Sequence, residues 1–374
     1  GGGGDMPPTR SPPGRFERTD GPRTGANEGA NGGKLVIARR MQTLCPGGRA
    51  RALLATLRRA STFSGGPAGP RSALIPRVSP PKMASDDIPS GSRTPRQALD
   101  DLRDALKCIG ALGVRMNPSG RLTKSLAVLE TVAAGGRVDP HERSQAHLDA
   151  SQLTEIGRHL VRKPARGLVG KLQLLASDPL VEPPSIGGTP GRDAQFELYL
   201  ASEFVAGGLA VSFDEPDLIV HDGLIVVGIA AKRVKSTQQF EKRLNEARRQ
   251  LLRQRHVVTH GLVAMDVSKA VNPDGAVVVS DALPDGPPAA GLLTELAAEP
   301  VKRSVESWLH DDRDRRLTCG VLLFAAALQY VPTIGGVVFS ANYRCLGLGQ
   351  EFAHVRARLQ DAAERGMRRP SADE

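Results

Sequence analysis

Residues 215–233 read EPDLIVHDGLIVVGIAAKR. Two short apolar runs flank Asp222-Gly223, with an acid ahead of the first run and a lysine near the end of the second. Asp-Gly tolerates positive φ and is a strong two-residue hairpin signal. A turn at 222–223 sets Asp217 opposite Gly228. Opposed residues point to the same side of a sheet, and side chains alternate along each strand. Asp217, Gly228, Ala230 and Lys232 therefore share one face, while Ile225, Val227, Ile229 and Ala231 share the other. The acid and the lysine converge beside a glycine that leaves room for a substrate.

The flanking sequence extends this hairpin into an α/β unit. Upstream, DAQFELYLASEFVAGG has a helical stripe of Phe196, Leu200 and Phe204, closed by Gly207 and Gly208. LAVSF at 209–213 precedes the hairpin as a first strand, with DLIV (217–220) and LIVVGIAAK (224–232) as the second and third. Downstream, residues 238–254 form an amphipathic helix with Phe240, Leu244, Ala247 and Leu251 on one face. GLVAMDVS (261–268) is a further strand. The order is α-β-β-β-α-β. A helix within 291–309 and strands at 319–327 and 335–340 follow. A surface helix over 351–366 closes the chain.

Here the sequence resembles the PD-(D/E)xK nuclease superfamily, the restriction-endonuclease-like fold. Pro216 and Asp217 match its proline-aspartate, Lys232 matches its lysine, and Glu197 matches an acid on the preceding helix. The local strings AAKRVKS and LNEARRQL are similar to its strand and helix. The motif covers about 195–255, and the order of elements covers about 190–345. The resemblance implies an αβββαβ core with a mixed sheet and Mg²⁺- or Mn²⁺-dependent hydrolysis of DNA. Asp217 would be the main metal ligand, with Glu197 as a second acid and the Ala231 carbonyl as an added oxygen. Lys232 would position water or stabilise charge on phosphorus. Arg233, Lys235, Arg248 and Arg249 would contact the phosphate backbone. The second motif acid should stand at 230, where Ala230 cannot ligate. A catalytically inactive module that binds nucleic acid or protein is therefore the alternative expectation. DNA is the expected partner, a homodimer is left open, and no membrane is expected.

Before this unit the chain changes character twice. Residues 1–93 are rich in Gly, Pro, Arg and Ser, a composition that favours disorder. From Gly29 to Ser85 there are ten basic residues and no acid. Taking those ten from the 50 basic residues leaves 40, equal to the 40 acids, so the formal net charge of +10 resides in the tail. The high pI therefore carries no information about a charged groove on the folded part. Met83, opening MASDD, is a candidate start of the native protein. Residues 94–177 read as helical. Thr94 is an N-cap, Pro95 suits the first turn and Gln97 completes a capping box. Helices are expected with Leu99, Leu102, Leu106 and Ile109 on one stripe, over 120–133 with Leu122, Leu126, Leu129 and Val132 inward, and over 141–150, 153–162 and 165–176. Residues 178–192 form a Pro/Gly linker to a nuclease-like domain at 193–350. The chain ends in a helix and tail at 351–374.

Other chemistries find little support. Cys45, Cys108, Cys319 and Cys345 form no Cys-x-x-Cys pair, and a reducing compartment, the cytoplasm, is expected. His256 and His260 lack the HExxH glutamate, and GLVGKL (167–172) lacks a phosphate loop's first glycine and final hydroxyl. Gln329, Pro332, Gly335 and Gly336 interrupt the uncharged run 318–343, which reads as core.

Overall fold

The computed structural model describes residues 94–162, 164–178, 190–223, 225–279, 289–306, 318–331, 336–347 and 353–367. All lie in the unit spanning Thr56–Glu374. The basic tail, residues 179–189 of the linker expected at 178–192, and residues 368–374 fall outside the described residues, while 190–192 of that linker are helical.

Four helices come first: α1 (Pro95–Ala111), α2 (Arg121–Ala133), α3 (Pro140–Ile156) and α4 (Leu168–Ala176). The capping box that starts α1 forms in both directions. Thr94 accepts from the Gln97 N–H, and the Gln97 side chain accepts from the Thr94 N–H. Asp139 caps α3 by accepting from the amides of His141 and Glu142. The segments expected as two helices at 141–150 and 153–162 are one. Ser151 and Gln152 contain no breaker, so α3 runs through them into a single π turn at Gly157–Val161.

The α/β part follows as α5 (Pro190–Ala206), β1 (Ala210–Ser212), β2 (Leu218–Asp222), β3 (Ile225–Arg233), α6 (Phe240–Arg253), β4 (His260–Asp266), α7 (Ser268–Val271), β5 (Val278–Val279), α8 (Ala289–Glu306), β6 (Thr318–Val331), β7 (Gly336–Gly347) and α9 (Ala353–Met367). The order α5-β1-β2-β3-α6-β4 is the expected one. One mixed seven-stranded sheet holds all the strands. β1, β2 and β3 form an antiparallel meander; β3, β4 and β6 run parallel; β7 returns antiparallel along β6. The two-residue strand β5, which composition does not signal, pairs with the far half of β6.

Side-chain parity divides the core into two layers. Val227, Ile229 and Ala231 of β3, Leu262 and Ala264 of β4, and Leu322, Phe324 and Ala326 of β6 face α5, α9 and the α1–α4 helices. Ala230, Val263, Met265, Val321, Leu323 and Ala325 face α6 and α8. Central parallel strands buried on both faces read as unbroken apolar runs for this reason. The α6 stripe of Phe240, Leu244, Ala247 and Leu251 is fully buried as expected.

Two expectations need correction. The β2–β3 register pairs Ile219 with Gly228 and Asp222 with Ile225. Asp222 is the last residue of β2 rather than a turn residue, and Gly223, at φ 61°, carries the positive dihedral. This displaces the expected register by two residues, an even shift, so every side chain keeps its face. Extending the pairing by one step sets Asp217 against Ala230, the position of the absent acid, instead of Gly228. α9 is the expected surface helix, with His354, Arg358, Asp361 and Arg365 exposed on its outer side. Val355, Leu359, Ala362 and Ala363 are buried, and α9 packs so close to α5 that a Cβ on Gly207 would collide with the Ala362 carbonyl. The second correction is the buried face of α2, which consists of Arg121, Leu122, Ser125, Val128 and Leu129 in place of the expected stripe of Leu122, Leu126, Leu129 and Val132.

Arg121 explains that rotation. It is 2% exposed. Its guanidinium pairs with Asp149 of α3, donates to Asp178 at 2.7 Å and to Gln195 of α5 at 2.6 Å. Ser125 donates to the same Asp149 at 2.7 Å. Burial works to raise the Asp149 pKa, but the Arg121 and Arg192 charges and these hydrogen bonds carry it below the usual carboxylate value. One side chain thus ties α2, α3 and the segment after α4 to the first turns of α5. Removing one member of such a network leaves buried charge uncompensated. Arg121→Ala is expected to lower unfolding free energy by about 3–5 kcal/mol, read from urea denaturation at pH 7. The ion-pair contribution of Asp149 is present above the ordinary carboxylate pKa and is lost as pH falls through its depressed value. The wild-type advantage over Arg121→Ala should therefore shrink in acid.

Candidate active site

The pairing of β2 with β3 ends where Leu218 faces Ile229. Beyond that rung the Asp217 side chain replaces a backbone partner. Its Oδ2 accepts from the Ala231 N–H at 2.8 Å and from Lys232 Nζ at 2.9 Å. Lys232 Nζ also donates to the Ala231 carbonyl at 3.0 Å. From α6, Gln250 donates to Asp217 Oδ1 at 3.0 Å, and the same amide nitrogen contacts the Pro216 carbonyl. Both carboxylate oxygens of Asp217 are thus held, with a strand-end lysine on one and a helix amide on the other. Burial pushes the Asp217 pKa up, and Lys232 and the Ala231 N–H act against it.

Glu197 approaches from α5 and is 7% exposed. It forms an ion pair with Lys171 of α4. Burial, then the Asp217 charge, push its pKa up to about 7, against the opposing pull of Lys171 and Lys232. Asp193 stands one turn before Glu197 on the same helix. Its pKa is raised by burial, while Arg233, Arg243, Lys232 and Lys235 pull it down. Three carboxylates and a ring of cations therefore share one electrostatic neighbourhood at the end of β3.

The expected residues are distributed unevenly about this centre. Asp217 and Lys232 come together, while Glu197 pairs with Lys171 and senses the Asp217 charge from α5. The Ala231 carbonyl reaches the same place but accepts from Lys232. Arg233 donates through Nε to Asp266 at 3.2 Å, which draws it to the β4 end. Lys235 acts on Asp193. Arg249 is exposed on α6 and donates to the Asn245 carbonyl at 3.2 Å, and Arg248 beside it is half-buried. Ala230 is fully buried against the α6–α8 layer.

Sequence reasoning passed over Gln250, Lys171 and Asp193. Gln250 carried a signal, because it sits three residues after Ala247 and next to Leu251, a polar residue on the apolar stripe of α6. Asp193 and Glu197 carried another, the i, i+4 spacing that stacks two acids on one helical face. Lys171 carried none, since its partner lies 26 residues away and meets it only through the packing of α4 on α5.

The hard oxygen donors here are Asp217 and Glu197, with Asp193 one turn away. Among the described residues no group of three or more His, Cys, Asp or Glu side chains is placed to hold a metal ion. Cys108, Cys319 and Cys345 are free thiols, and burial pushes Cys319 and Cys345 up to about 12, so neither of those two serves as a ready thiolate. No helix among the described residues is long and apolar enough to cross a membrane. No family model, curated protein or solved structure matches the chain.

The coupling between Asp217 and Glu197 is measurable. In Asp217→Asn the negative charge that raises Glu197 is gone, so Glu197 should titrate below its wild-type value. In Lys171→Met it should titrate above it. Carboxyl ¹³C chemical shifts followed from pH 4 to pH 9 report both, and an unmoved Glu197 in Asp217→Asn would separate the two side chains.

Proposed function

We propose that this chain is a PD-(D/E)xK-type nuclease that hydrolyses DNA phosphodiester bonds with Mg²⁺ or Mn²⁺. The observation that carries the reading is the pair of Asp217 and Lys232, 2.9 Å apart at the matching ends of adjacent antiparallel strands. The element order α5-β1-β2-β3-α6-β4 supports a restriction-endonuclease-like core around it. The donor set fits the ion. Mg²⁺ takes one or two carboxylates and completes its octahedron with water and substrate oxygens. Asp217 and Glu197 would hold it. When bound, the ion supplies positive charge against the scissile phosphate and acidifies water.

The chain's own groups have separate tasks. Lys232, anchored on Asp217 and the Ala231 carbonyl, brings an ammonium to the place where phosphoryl oxygens gain charge. Glu197, paired with Lys171, would be the second acid of the site. Gln250 keeps the Asp217 carboxylate oriented. Arg233, Lys235, Arg248 and Arg249 supply the sequence-independent attraction for the phosphate backbone.

A second reading, a catalytically inactive module of the same fold that binds nucleic acid or protein, is favoured by one observation. Ala230 places a buried methyl opposite Asp217, so the site has one carboxylate fewer than the motif requires. Nicking of supercoiled plasmid with Mg²⁺ and with Mn²⁺ decides between them. The wild type should cut, and Asp217→Ala and Lys232→Ala should each lose about 10²–10³-fold in rate. DNA retention in a gel without cutting would select the inactive module, and cutting gained by Ala230→Glu would identify a decayed nuclease. Equal cutting by both alanine variants would overturn the assignment of the site.

A further inference from the structure

The two acids of the site are held unequally. Asp217 accepts from the Ala231 N–H, from Lys232 and from Gln250, so its carboxylate is fixed by a strand and a helix together. Glu197 is 7% exposed and has, among the described residues, one ion-pair partner, Lys171 of α4. A buried carboxylate with a single cation depends on that cation for its place. Lys171 takes Oε2 and leaves Oε1 open.

α4 turns this lysine inward. Leu168, Leu172 and Leu175 are its buried stripe, and Lys171 borders it half-buried. Val169 and Leu174 on the same helix are exposed. A lysine ordinarily carries its ammonium to water while apolar neighbours stay inside. Here that order is reversed, and the ammonium ends on Glu197.

The start of α4 is seated on the sheet. Just past β1, the Phe213 N–H donates to the Arg166 carbonyl at 2.8 Å. Gly167 follows at φ 80°, and a Cβ there would collide with the Phe213 carbonyl. Both the dihedral and the close approach call for glycine. Lys171 lies one turn on, its N–H donating to the Gly167 carbonyl at 3.4 Å. Four residues after Phe213 the chain reaches Asp217. The segment that seats α4 therefore also delivers the first acid. Burial raises the pKa of Glu197 and of Asp217, and the Lys171 charge works against it at both.

We infer that Lys171 is a positioning residue of the nuclease site, its ammonium holding the Glu197 carboxylate in its working place. The N-terminal helical region thereby completes a site whose motif lies wholly in the α/β part. The inference rests on the nuclease reading.

Plasmid nicking by the full chain with Mg²⁺ tests the role. Lys171→Met should lower kcat about tenfold and leave KM for DNA within about twofold, and Lys171→Arg should restore most of the loss. In a Glu197→Gln background, Lys171→Met should change kcat less than about twofold, because Lys171 acts through Glu197. A readout without metal accompanies these. By side-chain ¹³C relaxation in EDTA, the Glu197 methylenes should be rigid in the wild type and in Lys171→Arg, and mobile in Lys171→Met. Should Lys171→Met melt early, Lys171→Gln repeats each measurement with a side chain of similar length. Wild-type kcat in the uncharged variant, a loss confined to KM, the same tenfold loss without Glu197, or an equally rigid Glu197 overturns the inference. A wild type that does not cut overturns the nuclease reading and this role with it. A wild type that cuts beside an unaffected Lys171→Met overturns the role alone.

Discussion

β3 is covered on both faces, and most of the molecule's chemistry follows from that constraint. Between Val227 and Ala231 no side chain of this strand reaches solvent to any extent, and each residue there is glycine, alanine or a branched aliphatic. A polar group in that interval would lose its hydration without a partner, at a cost of several kcal/mol for a charge. The first position that can carry charge is where the covering layers end, at Lys232 and Arg233. Partners must come to that end from other elements. Asp217 comes from the start of β2, Gln250 from α6, Glu197 from α5 and Asp266 from the end of β4. The charged groups gather at the strand ends because the strands themselves are closed to them.

The two layers contribute differently to that gathering. The α6 side brings Gln250 on a helix whose remaining inward residues are apolar, so one amide is positioned by the packing of Phe240, Leu244, Ala247 and Leu251 around it. The α5 side is bound to the N-terminal helices through Arg121, Asp149, Asp178 and Gln195. Those four residues lie on or beside four different helices, and their network fixes the start of α5. The helix that carries Asp193 and Glu197 is thereby tied to α2 and α3. The N-terminal helices and the sheet share one apolar cluster. A helical region without recognisable chemistry of its own thus takes part in placing two of the three acids.

How much of this was legible in the sequence depended on whether a feature is local. The Thr94 capping box, the α6 stripe and the alternation of β3 are written in residues a few positions apart, and each is found in the structure. The convergence of Asp217 and Lys232 was legible for a subtler reason. The turn was placed on Asp222-Gly223, and the register came out two residues away, but parity survives an even shift. An odd shift would have sent Asp217 to the opposite face. The features that escaped are non-local. A buried arginine in α2 is indistinguishable from a surface one until Asp149 and Asp178 are brought beside it. The Lys171–Glu197 pair needs α4 packed on α5. The helix at 353–367 is the surface element its sequence suggests, but the close packing on Gly207 that buries its alanines is not written in it.

Ala230 changes meaning once the layers are known. Read as sequence, it is an acid lost from an active-site motif. In the fold it lies among Val263, Met265 and the α6 side chains, directly across from the extended position of Asp217. A glutamate there would have to turn its carboxylate toward the strand end to escape the α6–α8 layer. The same region already contains a second acid from a different direction, since Glu197 senses the Asp217 charge strongly enough to share in raising its pKa. Two carboxylates that repel each other across a site, each countered by its own lysine, form an arrangement that a divalent cation would stabilise by replacing those lysines as the nearest positive charge. Under the proposed nuclease reading, the alanine takes away one ligand and leaves the mutual repulsion of Asp217 and Glu197 as an electrostatic reason for a cation to bind.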